Sequence, residues 1–263
     1  NADGTIVASV TNWTDADKKW LITANKSLTA KYTINDPATP TITGGTTKIY
    51  GSSNTTLTCA TTTTYASGTD KYYSFGYATS DGGTPGNWTT ASKTATTSVA
   101  ADAYVGQRWY SCRVYASDGT VESGTVTSSA SADTAMTINN AKLTFGDTEL
   151  YVKKGTTGVY TTIRGTTAGT IPTPTKTGWT FAGWYDGDTK VVNADGTIVA
   201  SVTNWTDADK KWLITANKSL TAKYTINDPA TPTITGGTTK IYGSSNTTLT
   251  CATTTTYASG TDK

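Results

Sequence analysis

Large and small side chains alternate along several short runs of the chain, and turn-forming residues separate these runs. The clearest examples are Asn54–Cys59, Tyr72–Tyr77 and Arg108–Tyr115, which are divided by glycine, aspartate and serine. A period of two residues is typical of β-strands that bury one face, and a series of short strands is typical of a β-sandwich. The pattern therefore predicts an all-β protein.

The chain repeats itself with a period of 192 residues. Residues 1–71 recur unchanged as residues 193–263, so that the offset is 193 − 1 = 192. Internal repetition of this kind indicates a tandem array of structural units. Within one period, the pattern predicts two units of domain size, at 34–138 and 139–225.

The repeat divides the 263 residues into four predicted segments. Two are complete units, and two are parts of units that begin or end outside them. The first junction, Asn35–Pro40, contains two prolines, so we expect a short, stiff link. The second, Ile138–Lys142, lacks glycine and serine, which indicates that one strand passes directly into the next. The segments are the later part of a second-type unit (1–33), a first-type unit (34–138), a second-type unit (139–225) and the early part of another first-type unit (226–263).

Neither partial segment contains all the strands of its unit. Left alone, residues 226–263 would expose the core side of their strands and unpaired backbone edges, so we expect them to be disordered or to aggregate without a partner. The partial segments belong to different unit types and cannot complete each other. We therefore expect a polymer of many periods in which neighbouring copies of the repeat complete both segments. A domain-swapped assembly of truncated chains is the alternative.

The composition supports β-structure and removes several classes of partner. Threonine contributes 64 of the 263 residues, and threonine is favoured in strands. The 21 basic and 19 acidic residues are scattered, which leaves no basic surface for nucleic acid or an anionic membrane. No apolar run approaches the ~20 residues of a membrane span. We predict no nucleic-acid partner and no membrane contact within this segment.

The residues needed for most enzyme chemistry are missing. The chain has no histidine, and no paired acid and base or activated nucleophile is recognisable. Asp186/Asp188, Asn193/Asp195 and Asp207/Asp209 place oxygen ligands two residues apart, as calcium loops do, but they lack the full loop pattern. Aspartate and glycine at these spacings are ordinary turn formers. We predict no enzymatic activity, no cofactor and no metal site.

Two cysteines and their aromatic neighbours resemble those of an immunoglobulin-like domain. Cys59 and Cys112 lie 53 residues apart, Phe75 lies between them, and Tyr110 precedes the second cysteine by two residues. In that family the two cysteines bridge the facing sheets, an aromatic side chain packs on the bridge, and the tyrosine bonds back to the chain. The resemblance implies a Cys59–Cys112 disulfide, with free thiols as the alternative. Phe75 or Tyr73 takes the place of the usual tryptophan, which favours a bacterial or archaeal relative.

The unit at 139–225 contains a second recognisable pattern. Residues 171–186 include the series Gly178, Trp179, Phe181, Gly183, Trp184 and Tyr185, and residues 219–224 close with Leu220, Ala222, Lys223 and Tyr224. This series resembles the Listeria–Bacteroides repeat, a small β-grasp-like module of bacterial surface proteins, over about residues 143–225. The resulting fold class is an immunoglobulin-like β-sandwich alternating with a β-grasp-like module.

The resemblance to this repeat also implies details of its core. Phe181 and Trp184 should lie on one side of the module and be largely buried. Because an odd spacing places residues on opposite faces of a strand, this requires a β-bulge at Gly183. The connector Val191–Trp212 is longer than in the family, and its residues 206–209 favour a turn of helix.

Several side chains are candidates for carrying or binding glycans. Trp179, Phe181 and Trp184 match core positions, whereas Trp88 and Trp205 are candidates for stacking on sugar rings. Seven asparagines stand in Asn-X-Ser/Thr sequences, four of them distinct within one period, and these sequences are acceptors of N-linked glycans. They are Asn12, Asn25, Asn54, Asn87, Asn204, Asn217 and Asn246.

These observations favour a structural or adhesive segment of a long repetitive protein or filament on a prokaryotic cell surface. In this interpretation, each module acts as a rigid, disulfide-stapled spacer. Its partners would be neighbouring copies of the repeat and, at an adhesive site, host or cell-surface glycans or proteins. Cys251 is the periodic copy of Cys59 and lacks a second copy of Cys112. The alternatives are an array of carbohydrate-binding modules and the non-catalytic appendage of a giant secreted enzyme.

Overall fold

The protein is described by a computed structural model that covers residues 5–30, 32–117, 125–165 and 167–259. These residues form sixteen β-strands and no helix, so the prediction of an all-β protein is confirmed. Residues 1–4, 31 and 260–263, which belong to the partial segments predicted from the repeat, lie outside the described part.

The first eight strands form a two-layered sandwich. One layer has the order β1-β3-β5, and the other has the order β2-β8-β6-β4, with β7 also paired to β6. All neighbours are antiparallel except β2 and β8, which run parallel. The strands are β1 (Thr41–Thr43), β2 (Thr47–Ile49), β3 (Thr55–Ala60), β4 (Asp70–Ala78), β5 (Thr96–Val99), β6 (Gly106–Ser117), β7 (Thr125–Thr127) and β8 (Thr134–Asn139).

The alternation seen in the sequence produces the core of this sandwich. In β3, Leu57 and Cys59 are buried while the threonines between and beside them are exposed, with the exception of Thr55. From Tyr110 to Ala116, β6 buries every second side chain because successive residues of a strand face opposite sides, and Ser111 is buried as well. The buried cluster consists of Leu57, Cys59, Phe75, Val99, Tyr110, Cys112, Val114, Met136 and Ile138.

The following strands form a six-stranded mixed sheet in the order β11-β10-β9-β14-β12-β13. Its central pair, β9 and β14, is parallel, and the other neighbours are antiparallel. The strands are β9 (Ala141–Phe145), β10 (Thr148–Val152), β11 (Val159–Tyr160), β12 (Trp179–Asp186), β13 (Thr189–Asn193) and β14 (Lys218–Ile226).

The long connector between β13 and β14 supplies a large part of the second core. Its apolar side chains pack with those of the sheet in one buried cluster, although they lie outside the strands. The connector therefore closes the core over the sheet without a helix. Its contributions are Ile198, Val202, Trp205, Trp212 and Ile214.

The helical turn predicted for residues 206–209 is wrong. Thr206 bonds to the preceding residues instead of capping the following ones: its hydroxyl donates to the Val199 carbonyl (2.6 Å) and accepts from the Val202 amide (3.1 Å). The Asp207 carboxylate then accepts from the Lys211 amide (2.7 Å). These bonds stabilise tight turns. Residues 199–211 therefore form a compact loop that packs on the core, and they do not form a helix.

A β-bulge lies where the sequence required one. Phe181 pairs with Tyr224 and Gly183 with Lys223, so that one extra residue is present on β12. The bulge brings the rings of Phe181 and Trp184 to the same side, 5.6 Å apart. Trp184 is buried, whereas Phe181 is half-buried at the edge of the core.

Glycine is required at position 183. Its φ is +126°, and a Cβ atom there would collide with the Val192 carbonyl oxygen. We expect Gly183→Ala to lower the free energy of unfolding by about 3 kcal/mol or more, because both the backbone conformation and the space favour glycine. Urea denaturation monitored by tryptophan fluorescence would measure this loss.

Gly187 provides the matched control on the adjacent turn. It also has a positive φ, +55°, but a Cβ atom there would meet open space. Gly187→Ala should cost only about 1 kcal/mol, the penalty of the left-handed conformation. Equal losses for the two variants would show that the close approach to Val192 contributes nothing.

The partial segments keep the local pairing of their complete counterparts. β15 (Thr233–Thr235) and β16 (Thr250–Ala252) pair in the register of β1 and β3, 192 residues earlier. Thr14 forms the same bridge with Trp20 that Thr206 forms with Trp212. The ordered β15–β16 hairpin differs from the disorder that we expected for an isolated segment. Local hydrogen bonds, such as that from the Ala230 amide to Thr255 (2.5 Å), hold this segment without a complete core.

Candidate functional site

The predicted Cys59–Cys112 disulfide is present and joins the two layers of the sandwich. Cys59 lies on β3 and Cys112 on β6, and both are buried. Phe75 lies directly opposite Cys112 in the β4–β6 pairing and belongs to the same core cluster. The bridge, the aromatic residue and the two layers thus have the arrangement that the immunoglobulin-like resemblance implied. A buried disulfide is also compatible with an extracellular protein.

Tyr110 is buried next to a group of stacked polar aromatics. Its ring lies 5.6 Å from that of Tyr77, and the Arg108 guanidinium lies over the rings of Tyr77 (4.2 Å) and Tyr104 (4.0 Å). The Tyr104 hydroxyl donates to the Met136 carbonyl (3.1 Å). Burial, followed by the neighbouring Tyr110 hydroxyl, raises the pKa of Tyr104. The Tyr104 hydroxyl thus ties its loop to β8, and it also forms a hydrogen bond with the Tyr110 hydroxyl.

The proposed platform of Trp88 and Trp205 is wrong. Trp205 is only 3% exposed, its indole nitrogen donates to Asp186 (2.9 Å), and the Lys218 ammonium lies over its ring (4.3 Å). Trp88 is half-buried, packs against Gly76 of the sandwich and lies beneath the Arg113 guanidinium at 4.3 Å. Since the two rings do not form one exposed face, they cannot act as a joint sugar-stacking surface.

All seven candidate glycosylation asparagines are exposed. Asn12, Asn87 and Asn204 have positive φ values, which is typical of asparagine in tight turns. The side-chain oxygen of Asn217 accepts from the Lys142 amide (2.9 Å). Exposure permits glycan attachment at these positions, and the attachment itself stays a prediction.

Several of the paired acidic residues have bonding partners. Asp188 forms an ion pair with Lys223 (2.6 Å), and this contact lowers the pKa of Asp188. Hydrogen bonds from Thr197 lower the pKa of Asp195. Within the described ranges, no three acidic, cysteine or histidine side chains are grouped so that they could hold a metal ion. The same residues include no helix that is long and apolar enough to cross a membrane.

The sandwich passes into the mixed sheet through a single residue. β8 ends at Asn139 and β9 begins at Ala141, which confirms the direct strand-to-strand junction expected from the sequence. The buried Asn140 donates its amide proton to the Ile163 carbonyl (2.9 Å), and Arg164 donates to the Asn139 side chain (2.8 Å). Since the Asn139 carbonyl also accepts from the Tyr50 amide (2.8 Å), the junction is bonded to both units.

Side chains from the two units also pack across this junction. The Lys153 ammonium lies over the Tyr50 ring at 4.5 Å, and a Cβ atom on Gly51 would collide with the Lys154 side chain. Ile49, the last residue of β2, packs against the core of the mixed sheet. The sequence patterns had not singled out these residues, because nothing in a strand pattern shows which turn faces another unit.

Consecutive units are also in contact at the opposite end of the mixed sheet. The Ala258 amide donates to the Thr177 carbonyl (2.9 Å), and Tyr257 packs so closely on Gly178 that no Cβ atom would fit. The Tyr257 hydroxyl donates to the Asn227 carbonyl (2.8 Å). Its counterpart Tyr65 makes the same bond to Asn35 at the start of the sandwich. The linker after each mixed sheet is thus bonded to the unit that follows it.

The chain runs through each unit from one end to the other. In the sandwich, Thr41 lies opposite Ala60, at the end of β3 away from the Asn139 junction, and the chain leaves at Asn139. In the mixed sheet, the chain enters β9 at the same junction and leaves β14 at Ile226. Since β14 runs parallel to β9, Ile226 lies at the far end. The parallel pairs β2–β8 and β9–β14 thus join an early and the last strand of each unit.

Comparison with models of known protein families, with curated proteins and with solved structures finds no match to this chain.

Proposed function

We propose that the protein is a structural segment of a repetitive extracellular surface protein or filament, in which each unit is a spacer that bears tension along the chain. The observation that carries the proposal is the end-to-end path through both units, with an early and the last strand paired in parallel. The bonded junctions support it, because they fix the direction of one unit relative to the next. Because the sequence repeats exactly, the same arrangement of units and junctions should recur in each period.

Parallel pairing of these strands decides how tension is carried. In the sandwich, tension pulls β2 back toward its start and β8 onward beyond its end. Because the two strands are parallel, tension makes them slide past one another. All the hydrogen bonds between them are then loaded at the same time. A hairpin pulled at its open end instead loses its bonds one after another. The β9–β14 pair is loaded in the same way, so both units resist extension through several backbone bonds at once.

The disulfide limits how far the sandwich can lengthen after these strands separate. It closes a loop of 53 residues between Cys59 and Cys112. Under tension, only the chain outside this loop extends. The bridge therefore keeps the spacer short even when the unit opens.

Single-molecule pulling with handles at the two ends of the chain tests the proposal. We expect each unit to open in one abrupt step, and reduction of the disulfide to lengthen the sandwich step by about 180 Å, since 53 residues extend by about 3.4 Å each. A Cys59→Ala/Cys112→Ala variant should show the longer step under both conditions. Gradual extension at low force, as in the unzipping of a hairpin, would overturn the proposal.

A further inference from the structure

A groove lies between the two edges of the mixed sheet. At one edge, Ala168 pairs with Tyr160 of β11, and at the other, Ile198 pairs with Val192 of β13. The space between these two added segments has a volume of about 510 Å³, a size that suits small ligands. We call it the edge groove. It is lined by residues 157–160, 168–171, 196–198 and Lys210.

The floor of the edge groove is apolar and opens into the core of the mixed sheet. Val159, Ile171 and Ile198 line it, and they have the largest exposed fractions in that core cluster, 8–9%. The core is therefore less completely covered here than elsewhere. An apolar face of a ligand would be removed from water on this floor.

The walls of the edge groove carry backbone groups without a partner among the described residues. The residues on both sides of Ala168 bond to the backbone of residues 159–161, and those on both sides of Ile198 bond to β13. Because the bonding direction alternates along a paired strand, the N–H and C=O groups of Ala168 and Ile198 point away from the strands behind them. The groove thus offers donors and acceptors at both edges.

Tyr160 adds an aromatic ring that no described cation covers. Its hydroxyl end lies over Gly158, two residues earlier on the same strand, where a Cβ atom would collide with it. The ring therefore lies along the strand toward Gly158, which also lines the groove. Lysine or arginine side chains lie over other partly exposed rings, such as those of Trp88 and Tyr185. Within the described part of the chain, no such contact occupies Tyr160.

Lys210 places a positive charge beside the groove. The neighbouring Lys211 forms an ion pair with Asp209 (2.9 Å), whereas no acidic group among the described residues pairs with Lys210 in this way. The Asp195 carboxylate also interacts with Lys210, but it already accepts two hydrogen bonds from Thr197. The Lys210 ammonium is therefore available to a carboxylate of a ligand.

The shape of the edge groove favours a compact ligand over an extended chain. The Ile171 carbonyl oxygen lies so near Gly196 that a Cβ atom there would contact it at 3.8 Å. The two edges consequently approach each other at this end, which leaves no space for a strand to pass between them. A compact ring fits this outline better than a polypeptide that pairs with either edge.

We propose that the edge groove binds a single sugar residue that carries a carboxylate. Sugar hydroxyls both donate and accept, so they match the mixed backbone groups of the two edges, which a purely apolar ligand would leave unpaired. The apolar face of the sugar ring fits the floor and the Tyr160 ring, and the carboxylate fits Lys210. The site is separate from Trp88 and Trp205. Its residues 157–171 occur once in the sequence.

Titration of the isotope-labelled 263-residue chain with D-glucuronate, followed by nuclear magnetic resonance, tests the proposal. We expect shifts of the amides of residues 168–171 and 196–198, with a Kd in the millimolar range. D-glucose lacks the carboxylate and should bind about 3-fold more weakly, because an ion pair with an exposed lysine contributes little. Tyr160→Ala should weaken glucuronate binding about 10-fold through the lost ring contact.

Lys18→Met is the matched control for Lys210→Met. Lys18 is the copy of Lys210, has the same neighbours in sequence and nearly the same φ, +62° against +63°, but no second copy of residues 157–171 accompanies it. Lys210→Met should reduce the affinity for glucuronate to that for glucose. Lys18→Met should leave both affinities unchanged.

Gly158→Ala tests the position of the Tyr160 ring without removing it. The added methyl group must displace the ring, whereas the backbone at Gly158 does not have the positive φ that would exclude alanine. We expect about 5-fold weaker binding of glucuronate, close to the effect of Tyr160→Ala. Unchanged hydrogen exchange in β10 and β12 would show that each variant is folded.

The proposal is overturned if glucuronate at about 50 mM shifts none of these amides, since this concentration would largely saturate a millimolar site. It is equally overturned if glucose binds as tightly as glucuronate, or if Lys18→Met weakens binding as much as Lys210→Met. Tighter binding of an alternating threonine–valine hexapeptide at the same amides would assign the groove to a polypeptide strand instead. None of these outcomes depends on the response to tension, so the spacer proposal is tested separately.

Discussion

Removing the Cys59–Cys112 bridge is expected to lower the free energy of unfolding of the sandwich by about 4 kcal/mol. The bridge closes a loop of 53 residues, and the stabilisation follows from the chain entropy that such a loop removes from the unfolded state. Native-state hydrogen exchange of a Cys59→Ala/Cys112→Ala variant would measure the loss in β6. The β12 amides of the mixed sheet report whether the effect stays within the sandwich.

Cys251→Ala is the matched control for this prediction. Cys251 has the same neighbours in sequence as Cys59, but it is exposed and carries no bridge. Its substitution should change the stability of either complete unit by less than about 0.5 kcal/mol. If the double variant were as stable as the parent chain, the bridge would not stabilise the sandwich by constraining its unfolded state.

The sequence was sufficient to predict those parts of the fold that depend on local periodicity. The alternation in β3 and β6 predicted strands with one buried face. In the structure, β3 buries Cys59 on that face and β6 buries Cys112. The odd spacing of Phe181 and Trp184 predicted a bulge because both side chains could reach one core in no other way. The absence of glycine around Asn140 predicted the direct junction. In each case, the signal lies within a few residues of the feature.

Features that depend on distant contacts were missed or misjudged. Trp205 stands in a polar sequence typical of an exposed turn, yet its ring packs in the core of the mixed sheet, and its indole nitrogen donates to Asp186, nineteen residues away. Thr206 has the sequence of a helix cap, but its hydroxyl bonds backward to Val199. Likewise, Gly178 gave no sign that Tyr257 packs on it. Each of these outcomes is decided by a partner that lies outside the local pattern.

Replacing Trp212 by alanine should destabilise the mixed sheet by about 3–5 kcal/mol, the cost of emptying the space of a fully buried aromatic side chain. Trp212 is 0% exposed and lies in the same core as Trp205, Ile214 and Leu220. The loss would be measured from the urea dependence of hydrogen exchange in β12 and β14. We expect no change in the sandwich, whose core is a separate cluster.

Trp20→Ala offers an unusually close control, because the residues on both sides of Trp20 and Trp212 are identical. Any effect of the substitution on the unfolded chain is therefore shared, and the difference between the two variants reports burial alone. Trp20 is 53% exposed, so its replacement should cost less than about 0.5 kcal/mol. If a further copy of residues 139–192 precedes Asn1, the cost at Trp20 should rise to that at Trp212, because the added strands would then bury it. An unchanged cost at Trp20 in that longer chain would contradict completion of the early segment by a neighbouring repeat.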